Sequence, residues 1–469
     1  MMIKKILFFS ILLVSSNLLI SQQRLVSFIN DLKTTTSNLK DAIPIVNEKT
    51  GEIGYFIVDA KNVYGYKLNS EFQVIDKMVS EEKSREYKTL IGSSVSESNS
   101  YRVFLTNKNK NKFSSINFSF ENKISSSSDF IISSEENFIQ TIDRNNQFYL
   151  ITGSKLNYDI YIYTFDENGV PKKNLIEINI IDNKKNLSII PILINSGSIK
   201  KIEDNTPISI ELASEKVKMY SRENLIVFTT DNNNKFTQVF EIDLNTFQSS
   251  FNRFNKPIFE GNSTKTNSFL NGDVISTLAV NKENLSIDFL NYKTGELIKN
   301  LTVNADETII FKNTPIIQEG GSFEDYRELE KTKQFLRKIS SSNAGISFRK
   351  FYDKFHVVIG GYVIQRTNGA MMMPFGGIPI AGIGNVTVFF NPTQLAFNSA
   401  SNNKATRIEC LFDQEFNHFE GIIGKNAFDK MQDYSIKNPG ETVFKYKNYF
   451  INVDYHLFSN EVIFRKFED

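Results

Sequence analysis

Residues 288–297, DFLNYKTGEL, indicate the fold class of this chain. An apolar run ends at Asn291, the turn-forming residues YKTG follow, and a second run begins at Glu296. Short runs of aromatic and β-branched residues separated by Asn, Thr and Gly are typical of β-hairpins. Most of the chain has this character, with runs of about five to ten residues between polar clusters. We therefore predict an all-β protein.

The other runs that predict strands are also rich in aromatic and β-branched residues. They include GYFIVDA at 54–60, YRVFLTN at 101–107, DIYIYTF at 159–165, NLIVFTT at 224–230, DVISTLAV at 273–280, FHVVIGGYVI at 355–364 and KYKNYFINVDYHLF at 445–458.

A repeated pattern lies on top of these strands: an apolar run ends, an acidic or Asn residue follows, and a turn leads into a second run. It occurs at Asn69, Glu121, Asp166, Asp243, Asn291, Asp413 and Asn460. Four of the six intervals span 45 to 52 residues, and the interval of 122 residues has room for an insertion. Propeller blades of about 40 to 50 residues repeat in this way, because a four-stranded blade must bury its faces against neighbours. We predict a β-propeller of seven blades; six or eight blades, a pair of β-sandwiches, or an irregular all-β assembly are the alternatives.

The hairpin YKTGEL at 292–297 resembles hairpins of pyrroloquinoline-quinone-type and related bacterial propeller blades. The resemblance covers single hairpins and not the whole chain. It implies a secreted, bacterial, β-propeller-like protein of no named family. The Trp that often docks neighbouring blades in those families is absent, because the chain contains no Trp.

The first 21 residues are typical of a secretory signal peptide. Lys4 and Lys5 precede an uncharged apolar run from Ile6 to Ile20, which Ser and Asn interrupt before it reaches the length of a membrane-spanning helix. Cleavage is expected after Ser21, with Ser16 as the alternative. We expect an exported protein that is periplasmic, outer-membrane-associated or extracellular, with no transmembrane span in the mature chain.

Charge and cysteine content narrow the classes of partner. Without residues 1–21, the 54 Lys and Arg residues fall to 52 against 53 Asp and Glu. A chain so close to neutral has no electrostatic reason to bind nucleic acid. The single cysteine, Cys410, excludes an intramolecular disulfide, and its alternating surroundings predict a buried strand residue.

One segment breaks the β-pattern. Residues 322–340 begin with Ser322, carry acidic residues early, and have Arg337 and Lys338 near the end, which predicts a helix. A second short helix is considered within residues 22–39. We divide the chain into a signal peptide (1–21), a lead-in (22–44) and one propeller-like domain (45–469) with an insertion at 365–386.

No catalytic, cofactor-binding or metal-ligating residue is predicted. The three histidines, His356, His418 and His456, do not have metal-ligand spacing. DNNNK at 231–235 lacks the Gly and distal Glu of a calcium loop, which favours a hairpin turn. Glu324 and Glu328 lie one helical turn apart in the predicted helix, where a solvated face is the favoured interpretation. The acidic pairs at 81–82 and 135–136 are assigned to polar connections.

The segment GAMMMPFGGIPIAGIGN, residues 369–385, lies in a stretch without charge from Thr367 to Asn403. Flanking runs that predict strands make it the long tip of a hairpin. Three roles are considered: a plug packed on the protein itself, an adaptable contact for a protein or membrane surface, and a lid over a small ligand. The residues of the interaction tip are Met371, Met372, Met373, Phe375, Ile378 and Ile380.

Two functions remain open from the sequence. The favoured one is a non-catalytic binding scaffold of the cell envelope that recognises an unknown protein or glycan through its loops and tip, with peripheral membrane contact as an option. The alternative is a propeller-type carbohydrate-active enzyme, whose acidic residues would converge at the channel.

Overall fold

The computed structural model describes residues 23–34, 37–178, 189–197, 199–260, 264–319, 326–363, 391–400, 405–434 and 440–469. Within them the protein consists mainly of β-strands, arranged in seven small sheets. All strand pairs of these sheets are antiparallel except one short parallel pair in the fourth. The predicted all-β class is therefore confirmed.

The first strand, β1 (Gln23–Ile29), belongs to the last sheet. The next three sheets each contain four strands in chain order. Sheet 1 comprises β2 (Asp41–Val46), β3 (Ile53–Val58), β4 (Val63–Leu68) and β5 (Val74–Val79). Sheet 2 comprises β6 (Thr89–Val95), β7 (Tyr101–Thr106), β8 (Lys112–Ser119) and β9 (Ile124–Ile131). Sheet 3 comprises β10 (Glu136–Arg144), β11 (Gln147–Ser154), β12 (Ile160–Phe165) and β13 (Pro171–Leu175).

Sheet 4 has five strands and is accompanied by two helices. In chain order these elements are α1 (Ile189–Asn195), β14 (Lys200–Ile202), α2 (Ile210–Ala213), β15 (Val217–Arg222), β16 (Leu225–Thr230), β17 (Phe236–Asp243) and β18 (Ser249–Asn255). Strand β14 runs parallel to β15, so Lys201 is paired with Met219 at the edge of the sheet. Sheet 5 comprises β19 (Lys265–Asn271), β20 (Val274–Val280), β21 (Asn284–Asn291) and β22 (Leu297–Asn304).

Sheet 6 is interrupted by helices, and its strand order is β24-β23-β27-β26-β25. Its elements are β23 (Ile316–Glu319), β24 (Tyr326–Leu329), α3 (Thr332–Ser340), β25 (Asn343–Phe351), β26 (Lys354–Tyr362), α4 (Pro392–Ala400) and β27 (Ala405–Phe412). Helix α5 (Ala427–Gln432) leads to sheet 7, in which β28 (Thr442–Tyr446), β29 (Tyr449–His456) and β30 (Glu461–Phe467) are completed by β1.

The repeated polar residues lie at the predicted turns. The side-chain oxygen of five of them accepts a hydrogen bond, 2.8 to 3.0 Å long, from the backbone N–H two residues further on; these are Asn69, Asp166, Asp243, Asn291 and Asp413. Such side-chain bonds replace backbone bonds that a tight turn leaves unmade. Glu121 and Asn460 also lie between consecutive strands. The repeat therefore marks one equivalent hairpin in sheets 1 to 5.

Burial changes systematically across each four-stranded sheet. All six residues of β3 and all six of β7 are buried, whereas β5 and β9 are largely exposed. Apolar clusters fill the space between consecutive sheets, and aromatic side chains dominate several of them. Between sheets 2 and 3, for example, Phe104 stacks on Phe148 with ring centroids 4.0 Å apart. Packing against a neighbour on both faces explains why the inner strands have few polar residues.

The last sheet packs on the first. Tyr55 of sheet 1 lies edge-on to Phe464 of sheet 7, with ring centroids 5.3 Å apart, and its hydroxyl donates to the carbonyl of Gly440 at 3.1 Å. Strand β1 extends this contact, because Phe28 lies between Tyr66 and Phe464. The expected contact between the early strands and the C-terminal strands is therefore observed.

Two helix predictions need correction. Of the predicted helix at 322–340, the structure describes residues 326–340, and these are helical only from Thr332 to Ser340, because Tyr326–Leu329 pairs with β23 as a strand. The short helix considered within residues 22–39 is wrong, since Gln23–Ile29 forms β1 and pairs with β30. In both cases pairing with another strand overrides the local pattern.

No helix of the described residues is both long and apolar enough to cross a membrane. The interaction tip, Met371, Met372, Met373, Phe375, Ile378 and Ile380, lies outside the described residues, as does the segment 365–386.

Candidate functional site

A cavity of about 780 Å³ opens where the first strands of several sheets converge, and we call it the inner cavity. Strands β2, β6, β10, β14 and β28 contribute to its wall, together with the N-terminal end of α4. A volume of this size lies in the range that binds small organic molecules, about 300 to 1,000 Å³. The inner cavity is therefore the first candidate for a functional site.

The wall of the inner cavity carries more basic than acidic side chains. Its five basic residues are Lys49, Arg144, Lys201, Lys445 and Lys447, and its three acidic residues are Glu48, Asp143 and Glu203. If all are ionised, the lining has an excess of two positive charges. A concave wall of one prevailing sign concentrates ligands of the opposite sign.

Asp143 and Lys201 interact electrostatically in this wall. Asp143 is an exposed residue near the end of β10, the first strand of sheet 3, whereas Lys201 is buried in β14 of sheet 4. Although Asp143 is exposed to the cavity, desolvation by the surrounding protein raises the pKa of its carboxyl to about 6, against the Lys201 charge and the Ser93 hydroxyl, which donates to Asp143 Oδ2 at 3.0 Å. Burial likewise lowers the pKa of Lys201 to about 8, against the attraction of Asp143. Both pKa values therefore lie closer to 7 than the ordinary values of these side chains do. Such pKa values are found in many acid–base sites.

The hydroxyl of Thr141 orients Lys201. Lys201 Nζ donates to Thr141 Oγ1 at 3.2 Å, and Thr141 Oγ1 donates its own hydrogen to the Ile91 carbonyl at 2.6 Å. Since the Thr141 hydrogen is already committed to Ile91, Lys201 must be the donor in its bond to Thr141. The amino group is thus held by a partner that directs one of its N–H bonds.

The rim of the inner cavity is organised by asparagine side chains from three sheets. Asn47 donates to Asn99 Oδ1 at 2.9 Å, and Asn146 donates to Asn47 Oδ1 at 2.9 Å. Asn146 in turn accepts from the backbone N–H of Glu48 at 2.9 Å. These bonds tie the loops of sheets 1, 2 and 3 together, so the wall that carries Glu48 and Asp143 is built on fixed supports.

A second polar cluster lies on one face of sheet 6, beside a cavity of about 170 Å³. His356 Nε2 lies 2.9 Å from Glu409 Oε2, and Arg407 Nε donates to Glu409 Oε1 at 3.0 Å. Burial opposes ionisation of Glu409, but His356 and Arg407 outweigh it and hold the pKa of Glu409 at about 2. The spacing of these residues along the sequence does not reveal their contact. The pairing of β26 with β27 places His356 close to Glu409.

The candidate acidic residues of the sequence do not form a catalytic pair. Glu328 lies in strand β24 and accepts from the Tyr326 hydroxyl at 2.7 Å, whereas Glu324 lies outside the described residues. Glu136, assigned to a polar connection, is instead buried at the start of β10, where it accepts from the Tyr163 hydroxyl at 3.0 Å and from Lys173 at 2.6 Å. Its neighbours in space, not its neighbours in sequence, explain its burial.

Two other predictions can be compared directly with the structure. Cys410 is buried as predicted, and burial raises the pKa of its thiol far above the ordinary value. Residues 231–235 connect β16 and β17 as predicted for a hairpin turn. Within the described parts of the chain, no group of three or more His, Cys, Asp or Glu side chains is arranged to hold a metal ion.

Sequence analysis did not identify Asp143 or Lys201. The only local signal is a charged residue at the end of an apolar run in QTIDRNN and in SIKKIED. Such residues are common at strand ends, so the pair becomes visible only when two sheets bring the strands together.

No family model matches the chain, and no curated protein matches its sequence. Among solved structures, a variant of the Synechocystis apocarotenoid oxygenase aligns at 7% identity with a TM-score of 0.31, covering 58% of this chain and 64% of its own. A chimera of that oxygenase with RPE65 aligns at 10% identity with a TM-score of 0.29 over 58% and 64%. An uncharacterized protein of Listeria monocytogenes aligns at 10% identity and a TM-score of 0.29, covering 71% of this chain and 82% of its own.

The match spans less than two thirds of the length of the apocarotenoid oxygenase structures. These likenesses are too weak to transfer any residue role or substrate to this chain. The structures named include enzymes, however, and this finding contradicts the predicted non-catalytic scaffold. That prediction also did not foresee the polar inner cavity.

Proposed function

We propose that this protein is an enzyme that acts on a small anionic organic molecule in the inner cavity. The observation that carries the proposal is the electrostatic interaction of Asp143 with the buried Lys201 in the wall of a cavity large enough for such a molecule. One partner accepts a proton near neutral pH and the other releases one, so together they supply general acid and base chemistry. Oriented groups in the wall also avoid the reorganisation that water would require.

The proposed architecture is a β-propeller of seven blades, with sheets 1 to 7 as the blades. The succession of apolar clusters between consecutive sheets and the packing of sheet 7 on sheet 1 support a closed ring. Exposed fourth strands, such as β5 and β9, fit the outer edge of blades. In such a ring the first strands surround the axis, which is where the inner cavity would lie.

The excess of basic side chains in the wall supports an anionic ligand. Lys445 donates to the Asp204 carbonyl at 3.0 Å, and Arg144 donates to the Glu223 carbonyl at 3.0 Å. Both cations keep further N–H donors for a carboxylate or phosphate, because a single carbonyl does not use all of their hydrogens. The same wall also contains three acidic residues, which repel a ligand that carries only negative charge. They can accept hydrogen bonds from a ligand that also carries neutral polar groups.

Ligand binding can be tested by calorimetry with pyruvate, 2-oxoglutarate and inorganic phosphate, each compared with glycerol as an uncharged probe. We expect at least one anion to bind and glycerol not to bind. Lys445→Gln should weaken that binding about fivefold or more, and Lys293→Gln, on an exposed hairpin, should leave it unchanged. Failure of all three anions to bind, or equal weakening by both variants, would overturn the proposed ligand class.

Catalysis can be tested by nuclear magnetic resonance on a mixture of small carboxylates and organic phosphates. The parent protein should convert at least one component, and Asp143→Asn should convert it at least tenfold more slowly while retaining binding. Binding without conversion by the parent would contradict an enzymatic role.

We also propose that the chain is exported, on the basis of its basic and apolar N-terminal residues. The mature protein should begin near Asn17 or Gln22 when its N-terminus is sequenced from an envelope or secreted fraction. An intact Met1 in a cytosolic fraction would contradict export. An envelope protein or glycan as a further partner stays a prediction.

A further inference from the structure

Asp41 is a buried acidic residue that has no role in the proposed function. It begins β2, the first strand of sheet 1, and is 7% exposed. Its Oδ1 accepts from the backbone N–H of Ala42 at 2.9 Å, whereas its buried Oδ2 has no hydrogen-bond partner in the part of the chain that the structure describes. An ionised carboxylate is strongly unfavourable in such surroundings, because burial removes water and nothing replaces it at Oδ2.

The position of Asp41 is close to the contact between sheet 1 and sheet 7. Its charge raises the pKa of Tyr55, whose hydroxyl donates to the carbonyl of Gly440 at 3.1 Å. Strand β2 begins at Asp41, and β28 follows Gly440; both strands also contribute to the wall of the inner cavity. A change in the charge of Asp41 therefore acts on a joint between two sheets.

The groups that face Asp41 from neighbouring strands supply no positive charge. They are the hydroxyls of Tyr55 in β3 and Tyr455 in β29, and burial raises the pKa of both, so they stay neutral. No described lysine, arginine or histidine lowers the pKa of Asp41. Desolvation dominates and raises this pKa to about 7, against a single backbone N–H from Ala42. The folded protein thus favours the protonated carboxyl.

We propose that Asp41 is a pH-sensitive latch: it is protonated while sheet 1 packs tightly on sheet 7, and its ionisation loosens that contact. The inference is independent of the proposed function. Because the pKa of Asp41 is higher in the closed protein than its ordinary value of 3.8, the stabilisation is fully present below that ordinary value. It decreases as the pH rises and is lost once the pH has passed through about 7.

Hydrogen–deuterium exchange on the intact protein tests the latch, once rates are corrected for the intrinsic pH dependence of exchange. Between pH 5 and pH 8, protection of the amides of β2 and β28 should fall by about tenfold or more, because opening lets Asp41 ionise. Protection in β7 and β11, which pack between sheets 2 and 3, should change by less than about threefold. Equal losses in all four strands would indicate a global effect and overturn the latch.

Variants assign the effect to one carboxyl. Asp41→Asn has nearly the same size but cannot ionise, so protection of β2 and β28 should agree within about threefold between pH 5 and pH 8, whatever its absolute stability. Asp306→Asn, at an exposed position, should keep the full loss of the parent. A loss in Asp41→Asn as large as in the parent would assign the pH dependence to another group and overturn the inference. If Asp41→Asn does not fold, the parent still decides, since unchanged protection between pH 5 and pH 8 contradicts the latch.

Discussion

The carboxylate of Asp231 lies 2.8 Å from the ammonium of Lys256, and neither side chain is exposed to solvent. Lys218, equally buried, lies 3.2 Å from the other oxygen, which also accepts from the Ser268 backbone N–H at 3.1 Å. Burial alone would raise the pKa of Asp231, but Lys256 and Lys218 outweigh it and hold the value far below the ordinary range. The three charges belong to sheet 4 and the residues that follow its strands, and the hydrogen bonds from Ser268 to Asp231 join them to sheet 5.

We predict that Asp231→Asn destabilises the protein by about 3 to 5 kcal/mol, because two buried ammonium groups lose their counter-charge. Chemical denaturation measures the loss. The matched control is Asp243→Asn, which keeps the acceptor of an accessible turn and should change stability by less than about 0.5 kcal/mol. A loss below about 1 kcal/mol for Asp231→Asn would show that the charges are not essential to this contact.

We predict that the contribution of Glu409 to the free energy of unfolding depends on pH. Its pKa in the folded protein, about 2, is lower than in the unfolded chain, where the ordinary value is 4.5. The contribution is therefore fully present above the unfolded value and disappears as the pH falls from about 5 to 2, with an upper bound of about 3 kcal/mol. Parent and Glu409→Gln should differ most in free energy of unfolding near pH 6 and converge toward pH 3.

The control for that measurement is Glu420→Gln, at an exposed position. The free energies of unfolding of Glu420→Gln and the parent should differ little at every pH. A Glu409→Gln difference that stays constant between pH 6 and 3 would contradict the ionic role assigned to His356 and Arg407.

The repeated turn can be tested at Asn291. Its Oδ1 accepts from the backbone N–H groups of Lys293 and Thr294 at 2.9 and 3.0 Å. Asn291→Ala should cost about 1 kcal/mol of stability, because two turn N–H groups lose their acceptor. Asn291→Asp retains that acceptor, so its free energy of unfolding should remain within about 0.5 kcal/mol of that of the parent. Thermal or chemical denaturation measures both variants. Equal losses in both variants would refute the hydrogen bond as the cause.

Gly92 allows Asp143 and Phe148 to approach the backbone of sheet 2. A Cβ atom added at Gly92 would overlap Asp143 Oδ1 and the Phe148 ring, whereas one added at Gly424 would meet open space. We expect Gly92→Ala to lower stability by about 1 to 3 kcal/mol, since well-packed interiors resist extra volume. Gly424→Ala, measured in parallel, should retain the stability of the parent.

Strand positions and turn residues were predictable from the sequence because they depend on local chemistry. Alternating aromatic and β-branched residues favour an extended chain wherever it is placed, and Asn291 forms its turn with residues two and three positions away. The burial of Cys410 follows from the same alternation.

Contacts between distant segments followed no such local rule. The segment Gln23–Ile29 is a strand because Glu461–Phe467 presents unpaired backbone groups to it, and Tyr326–Leu329 is a strand because Ile316–Glu319 does so. Asp143 and Lys201 interact only because sheets 3 and 4 place them in the wall of one cavity, where desolvation shifts both pKa values against the attraction of the two charges. Burial and interaction across sheets depend on three-dimensional packing, which residue spacing along the chain does not encode.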